Sequence, residues 1–599
     1  MMACTCRLPT IFAAEQRSNS DARRMTLESL WTLEIGVSGA YGKVLFNNEE
    51  LAKKLSDLTS GNLFKTPFET HDILALLYTQ LVHHWRRAAK TEKTIEFLLK
   101  ASESLISISN LGAALRHLQQ ASEIVDNLDK GLDIVSNFTE DDDLNLDDVK
   151  VLSVGRNVKA KIQSLLGQVL FQQGQLEQSL THFLKALKLL RCKLPQNSFL
   201  ITLRTWIECR RQKFHLKNPS RYIGSARSRQ ANLYVEQVRC LSYVWQILHN
   251  LKCMPNRMKL SKLVAMMQVN RAEAADDDLR ELITAYTCMM QIHQLAGDIY
   301  KSALYENRAI ARCLELPKKL TSTDLYITGH LHLVSCSVRL CQGKLSHATT
   351  AGYRAYKVAD TLGDVDIKLI VLPLLVQIHL LTGRGRACIE VLSFLLYVSK
   401  HNADEPGDIS RFYVRTSMAV WCYRRNEADK GRAWLKLSTE VKPTHFDNFL
   451  AVRAFTRLLE ARLLALKKSH ETYGLSDKET LLASTLCKDA VNQLQKLCKK
   501  FPVFTPRSLL LTGFYQILLG NSQKAQELIT RAINLARYCG NLVDYQWAFH
   551  NKALWVSPSS KVDSDYWIHN CESMPNWELP NNNDHVERCF SLKPVAFTP

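Results

Sequence analysis

Four groups of residues in this chain are of types that could do chemistry: Cys4 with Cys6, the histidines His83, His84, His330 and His332, the run Asp276, Asp277 and Asp278, and the basic stretch from Arg204 to Arg229. A zinc site needs a full set of thiolate or imidazole ligands at compatible spacing. Cys4 and Cys6 are too close to hold the metal alone, no CxxC occurs, and the histidines lack a matching set. Paired aspartates can hold a divalent ion, but in "AADDDLREL" they stand where a helix N-terminus attracts negative charge, so capping is the favoured reading. The basic stretch "RTWIECRRQKFHLKNPSRYIGSARSRQ" holds Arg204, Arg210, Arg211, Lys213, Lys217, Arg221, Arg227 and Arg229 with no acid after Glu208. With a net charge of +19 behind it, such a block fits an exposed insertion, an acidic protein partner or a nucleic acid. It carries no zinc-finger frame and no RNP-type aromatic motif, which weighs against nucleic acid.

The sequence has no GxxxxGK[ST] phosphate loop, no GxGxxG, no HExxH, no GxSxG and no kinase signature. No catalytic, cofactor-binding or metal residue is therefore expected in this chain. The 17 cysteines sit mostly singly within helical patterns such as "VRCLSYVW" and read as small buried hydrophobes in a reducing compartment. No apolar run is long enough to span a membrane. In "IKLIVLPLLVQIHLLTG" Lys368, Pro373, Gln377 and His379 interrupt the longest one, which reads as a buried helix pair. The N-terminus has no secretory apolar core, so a cytoplasmic chain is expected, with Asn137 in "NFT" unglycosylated.

What remains to be positioned is not a reactive group but a set of small residues. In "LLGQVLFQQGQLEQSLTHFLKAL", Gly167, Gly174, Ser179 and Ala186 fall at steps of seven, five and seven. The same steps recur as Met290, Gly297, Ser302 and Ala309, as Cys336, Gly343, Ala348 and Ala355, and as Gly513, Gly520, Ala525 and Ala532. Glycine and proline are sparse, 23 and 16 in 599 residues, so the surrounding leucine, alanine and glutamine patterns are helical. The glycine at the second position of each copy stops a first helix by taking the left-handed conformation. The small residues five and twelve positions later share one face of a second helix. Two antiparallel helices joined by so short a turn approach closely only where side chains are small. The expectation is an all-α protein, a degenerate helical-pair solenoid. Gly431 is read as the mark of a further copy that ends at Pro443.

Along the chain this divides into a loose tail (1–24), a helical entry block (25–137), an acidic linker (138–150), a helical repeat (151–203), the basic insertion (204–230), a long repeat array (231–555) and an irregular tail (556–599).

The repeat resembles the tetratricopeptide repeat, with Leu170, Phe171, Leu176 and Phe183 as the large partners; Gln163 stands where that repeat usually opens on tryptophan. A second resemblance is more specific. Leu81, His83, His84 and Trp85, then Lys93, Ile95, Phe97, Leu98, Lys100 and Ala101, then Ala114, His117, Leu118 and Ala121 look like the entry into the helical repeats of signalling ATPases joined to class III nucleotide cyclases. The segments beginning "VGRNVKAKIQ", "ANLYVEQVRC" and "GYRAYKVADT" resemble the long C-terminal region of the bicarbonate-responsive soluble adenylyl cyclases. That likeness runs from about residue 25 to 555. It implies a regulatory region whose parent enzyme uses ATP with a divalent metal, and protein partners that include cyclase catalytic domains. The cyclase domains and phosphate loop of that family have no counterpart here, so no catalytic residue carries over. A stand-alone scaffold for partner proteins is the alternative.

Overall fold

The computed structural model describes residues 65–129, 155–250, 256–276, 278–317, 320–382, 408–440, 449–474, 477–556 and 592. The Cys4/Cys6 pair, Asn137, the acidic linker, Pro443 and nearly all of the two tails lie outside them. Among the described residues there is no strand. The first helices are α1 (Lys65–Arg87), α2 (Thr91–Ser107), α3 (Leu111–Asp129), α4 (Arg156–Gln172), α5 (Leu176–Leu189), α6 (Ser198–Lys217), α7 (Pro219–Tyr222), α8 (Ser228–Asn250) and α9 (Arg257–Ala275). They are followed by α10 (Leu279–Leu295), α11 (Ile299–Cys313), α12 (Ser322–Cys341), α13 (Leu345–Leu362), α14 (Val365–Thr382), α15 (Asp408–Arg424), α16 (Ala428–Thr439), α17 (Phe449–Tyr473), α18 (Lys478–Cys498), α19 (Thr505–Leu518), α20 (Ser522–Cys539) and α21 (Leu542–Val556). The chain forms two compact units, an N-terminal one from residues 5–285 with 311–321 and a C-terminal one from 286–310 and 322–599.

Neighbours in sequence pack as antiparallel pairs, and the turn between them is one device, used seven times with the seven-five-seven spacing and again, outside that spacing, at Gly363 and Gly540. At Gly174, Gly297, Gly343 and Gly520 the backbone is left-handed, with φ between 74° and 81°. The following amide donates back across six residues, as from Gln175 N to Leu170 O at 2.9 Å and from Asn521 N to Gln516 O at 2.8 Å. This closes the last carbonyls of the first helix. Ala89, Ser109 and Asn426 hold the same conformation and the same backward bond without being glycine. Around them the seven-five-seven spacing returns as Val82, Ala89, Thr94 and Ala101, as Ser102, Ser109, Ala114 and Ala121, and as Ala419, Asn426, Gly431 and Ser438. Gly431 is thus a crossing residue in α16, beneath the Tyr423 ring, and the turn of its copy belongs to Asn426.

The crossings are tight. A Cβ on Gly167 would lie 2.9 Å from the Phe183 ring, and Ser179 Oγ donates to Gly167 O at 2.7 Å. Ser302 Oγ repeats that bond to Met290 O at 2.6 Å. Ala186, Ala309, Ala348, Ala355, Ala525 and Ala532 are fully buried.

In one place the chain departs from its sequence reading. The apolar run around Pro373 is a single helix, α14, and not a pair. Proline disfavours a helix interior by about 3 kcal/mol, but Ile370, Val371, Leu372, Leu374, Leu375 and Val376 are all buried, so packing on every side holds the helix through it. No described helix is long and apolar enough to cross a membrane.

The C-terminal unit closes on itself. Its first turns meet its last helices: a Cβ on Gly297 would lie 3.0 Å from Cys539 Sγ, one on Gly343 3.2 Å from Leu542, and one on Gly540 2.9 Å from the Tyr300 ring.

Candidate interaction surface

Helix α6 carries most of the basic stretch, and its polarity is reversed. Its apolar residues Phe199, Leu203, Trp206, Ile207 and Phe214 follow the spacing that normally faces a core, yet they are exposed, Phe199 by 72% and Trp206 by 55%. Its buried residues are Ile201 and three polar ones, Glu208, Gln212 and His215, spaced four and three apart along the opposite face.

Polar side chains can occupy that inner face because α9 meets them with polar partners. Glu273 is fully buried, and its Oε2 accepts from Gln212 Nε2 at 3.1 Å and faces His215 Nδ1 at 2.8 Å. Asn270 Nδ2 donates both to Glu208 Oε2 at 2.8 Å and to Glu208 O at 3.0 Å. A buried carboxylate without such partners would be strongly unfavourable, so these bonds fix how α6 lies on α9. The helix starts where Asn197 Oδ1 accepts from Phe199 N at 2.9 Å. Tyr222 of α7 stacks on His215 at 4.9 Å beyond its end.

With the polar face spent inward, the outer face combines large apolar side chains with Arg210, Arg211, Lys213 and Lys217, all exposed. Arg210 lies over the Trp206 ring at 4.8 Å, so cation and aromatic form one surface. Among the described residues nothing covers this apolar patch, which is of the kind that contact sites use. It can receive a partner that brings apolar groups ringed by acids.

The other residues that could have done chemistry are occupied elsewhere. Asp278 Oδ1 accepts from Arg280 N at 3.0 Å at the start of α10, and Asp276 ends α9 in a left-handed conformation and pairs with Arg312 at 3.2 Å. His330 and His332 lie two residues apart on α12, where burial pushes them down to about 4 and about 3. Among the described residues the cysteines are free thiols, and burial pushes those of Cys240, Cys336 and Cys487 up to about 12. Of the structural positions, Ser179 meets Gly167 where α4 crosses α5, Ser302 meets Met290 where α10 crosses α11, and Gly174 lies in the turn between its helices. Nothing in the sequence pattern paired α6 with Glu273, which is 58 residues from His215. The signal that was legible is the outward stripe itself, a helical apolar spacing laid through a basic block.

No protein-family model matches the chain. It is similar to rabbit (Oryctolagus cuniculus) "Adenylate cyclase type 10", 24% identical over 558 residues, which cover 85% of this chain and 32% of that protein. The human (Homo sapiens) protein of the same name is 23% identical over 555 residues, with the same coverage, and the mouse (Mus musculus) protein is 24% identical over 466 residues, covering 70% of this chain. The chain therefore spans about a third of the length of these curated relatives.

Proposed function

We propose that this chain is a non-catalytic regulatory solenoid of tetratricopeptide-like pairs that acts in cyclic AMP signalling by binding cyclase catalytic domains. The observation that supports this most is the similarity to adenylate cyclase type 10, which runs through 85% of the chain yet engages only 32% of the relative. A cyclase must hold divalent metal on paired aspartates and stabilise charge developing on ATP phosphates. Asp276 and Asp278, the aspartate pair weighed for metal in the sequence, are committed to helix ends. The outer face of α6 is the contact surface. Burying three of its large apolar side chains would contribute about 5 kcal/mol before association costs.

Two measurements test this. The purified chain, given ATP with magnesium or manganese, should form no cyclic AMP; turnover above a no-protein control overturns the non-catalytic role. Cyclase catalytic domains of adenylate cyclase type 10 should be captured by the chain or change rate when fused to it, and Leu203→Asp with Trp206→Asp should abolish the effect. Capture that ignores those substitutions removes α6 from the interface. Failure to capture any cyclase domain, with other proteins retained through the same face, favours the stand-alone scaffold, a reading the exposed stripe supports on its own.

A further inference from the structure

The helices of the C-terminal unit converge on a cavity of about 20 Å³, lined by Cys341 of α12, Tyr413 of α15, Arg453 and Arg457 of α17, Arg507 of α19 and Asp544 of α21, among others. That is room for a single water-sized occupant. Three guanidinium groups and one carboxylate around so small a space are out of balance. The next layer does not restore it.

Both oxygens of Glu460 are taken, Oε1 by Arg424 Nη2 at 2.8 Å and Oε2 by Arg457 Nη1 at 2.8 Å. Asp544 is equally committed, its Oδ1 to Arg507 Nε at 2.8 Å and its Oδ2 to Asn541 Nδ2 at 2.7 Å. Arg453 has no carboxylate. It donates to Ser337 Oγ and lies over the rings of Phe449 and Phe504, at 4.7 and 5.6 Å. Arg507 is paired with Asp544 and Arg457 shares Glu460 with Arg424, so among the described residues Arg453 is left with no carboxylate and the cavity wall carries an excess of positive charge.

Two donors lining the cavity have no partner. Arg457 is 7% exposed and Tyr413 is 1% exposed, yet Arg457 Nη2 and the Tyr413 hydroxyl make no hydrogen bond. An unmade bond of a buried charged group costs more than a neutral one, and a water could accept both protons but would leave the charge excess as it is. We infer that this cavity binds a small inorganic anion of halide size, with Arg457, Arg453 and the Tyr413 hydroxyl as its donors.

The test uses the full chain in methanesulfonate, an anion too large for the cavity, exchanged for bromide at constant ionic strength. The melting temperature of the C-terminal unit should rise with bromide and level off as the site fills. Tyr413→Phe removes a hydroxyl that has no partner, so it should fold, and it should weaken the apparent bromide affinity roughly tenfold, the worth of one hydrogen bond to a charged group. Arg453→Met should abolish the response. In crystals grown with bromide, an anomalous peak should stand between Arg457 Nη2 and Tyr413 Oη. Equal melting in both salts with no peak means that water fills the cavity and overturns the proposal. A bromide response unchanged in both variants does so too, because the anion then acts elsewhere.

Discussion

The crossing of α4 with α5 in the N-terminal unit and that of α19 with α20 in the C-terminal unit share the seven-five-seven spacing but are locked differently. At the first, Gly167 lies against Phe183 of its own pair, whose ring is stacked on Tyr243 at 5.0 Å and cannot withdraw. A serine hydroxyl, that of Ser179, stitches the two helices together. At the second, Ala525 replaces the serine, and the space beside Gly513 is filled from outside the pair by Trp555 of α21, 3.1 Å from a hypothetical Cβ. Small residues therefore set how near two helices come, while the group that fills the crossing is local to each copy. A shared spacing is a shared distance and not a shared contact set.

The strongest way to break that comparison is to overfill both crossings. Ala186→Trp should lower the unfolding transition of the N-terminal unit and Ala532→Trp that of the C-terminal unit, each by about 3 kcal/mol, because neither site has room for added volume. An unchanged melting curve for Ala532→Trp would show that the second copy is not a crossing.

Acidity should act with opposite sign on two buried groups, one in each unit. Burial pushes Glu281 up to about 7 from 4.5, even with Arg239 3.8 Å away, so its stabilising share is complete below pH 4.5 and is lost as pH rises through 7. Burial, with help from Arg354, pushes His332 down to about 3 from 6.5, so its share is present above pH 6.5 and is lost as pH falls toward 3. Moving from pH 7 to 5 should stabilise the N-terminal unit and destabilise the C-terminal one through these groups, each by about 2 kcal/mol. Glu281→Gln and His332→Gln should each flatten one limb of the urea midpoint against pH. If both variants keep the parent slopes, other groups set the pH response.

The smallest effect sharpens the comparison most. Glycine to alanine inside a helix gains about 1 kcal/mol in propensity. At Gly513 that gain should nearly offset the crowding against Trp555, whereas Gly167→Ala should lose about 1 kcal/mol net against the pinned Phe183 ring. Urea midpoints that fall equally for the two would mean that the crossings are locked alike.

The helical class was legible because sparse glycine and proline left long periodic segments, and four turns were legible because glycine occupies their left-handed position. The other three were hidden by the same logic: Ala89, Ser109 and Asn426 adopt a conformation that their residue types seldom take, so a pattern anchored on glycine passes over them. Gly431 drew attention for its type, and it belongs to its copy as a crossing residue while Asn426 makes the turn. Pro373 misled for the opposite reason, since local propensity said stop while burial on all sides said continue. The inner face of α6 could not be found from sequence at all. Its partner Glu273 lies on another helix, and a pattern of exposed apolar residues does not reveal what sits behind it.

The reversed polarity of α6 also bears on time. Most helices here are held by apolar area that must be rehydrated before they can leave, and that area sets a high threshold for opening. In α6 the large apolar side chains are already wet, and the inner face gives up Ile201 and a few exchangeable hydrogen bonds. Its opening is therefore a matter of swapping partners with water, so its amide hydrogens should exchange ahead of those of α9 beneath it, and the helix can come and go while the rest of its unit keeps still.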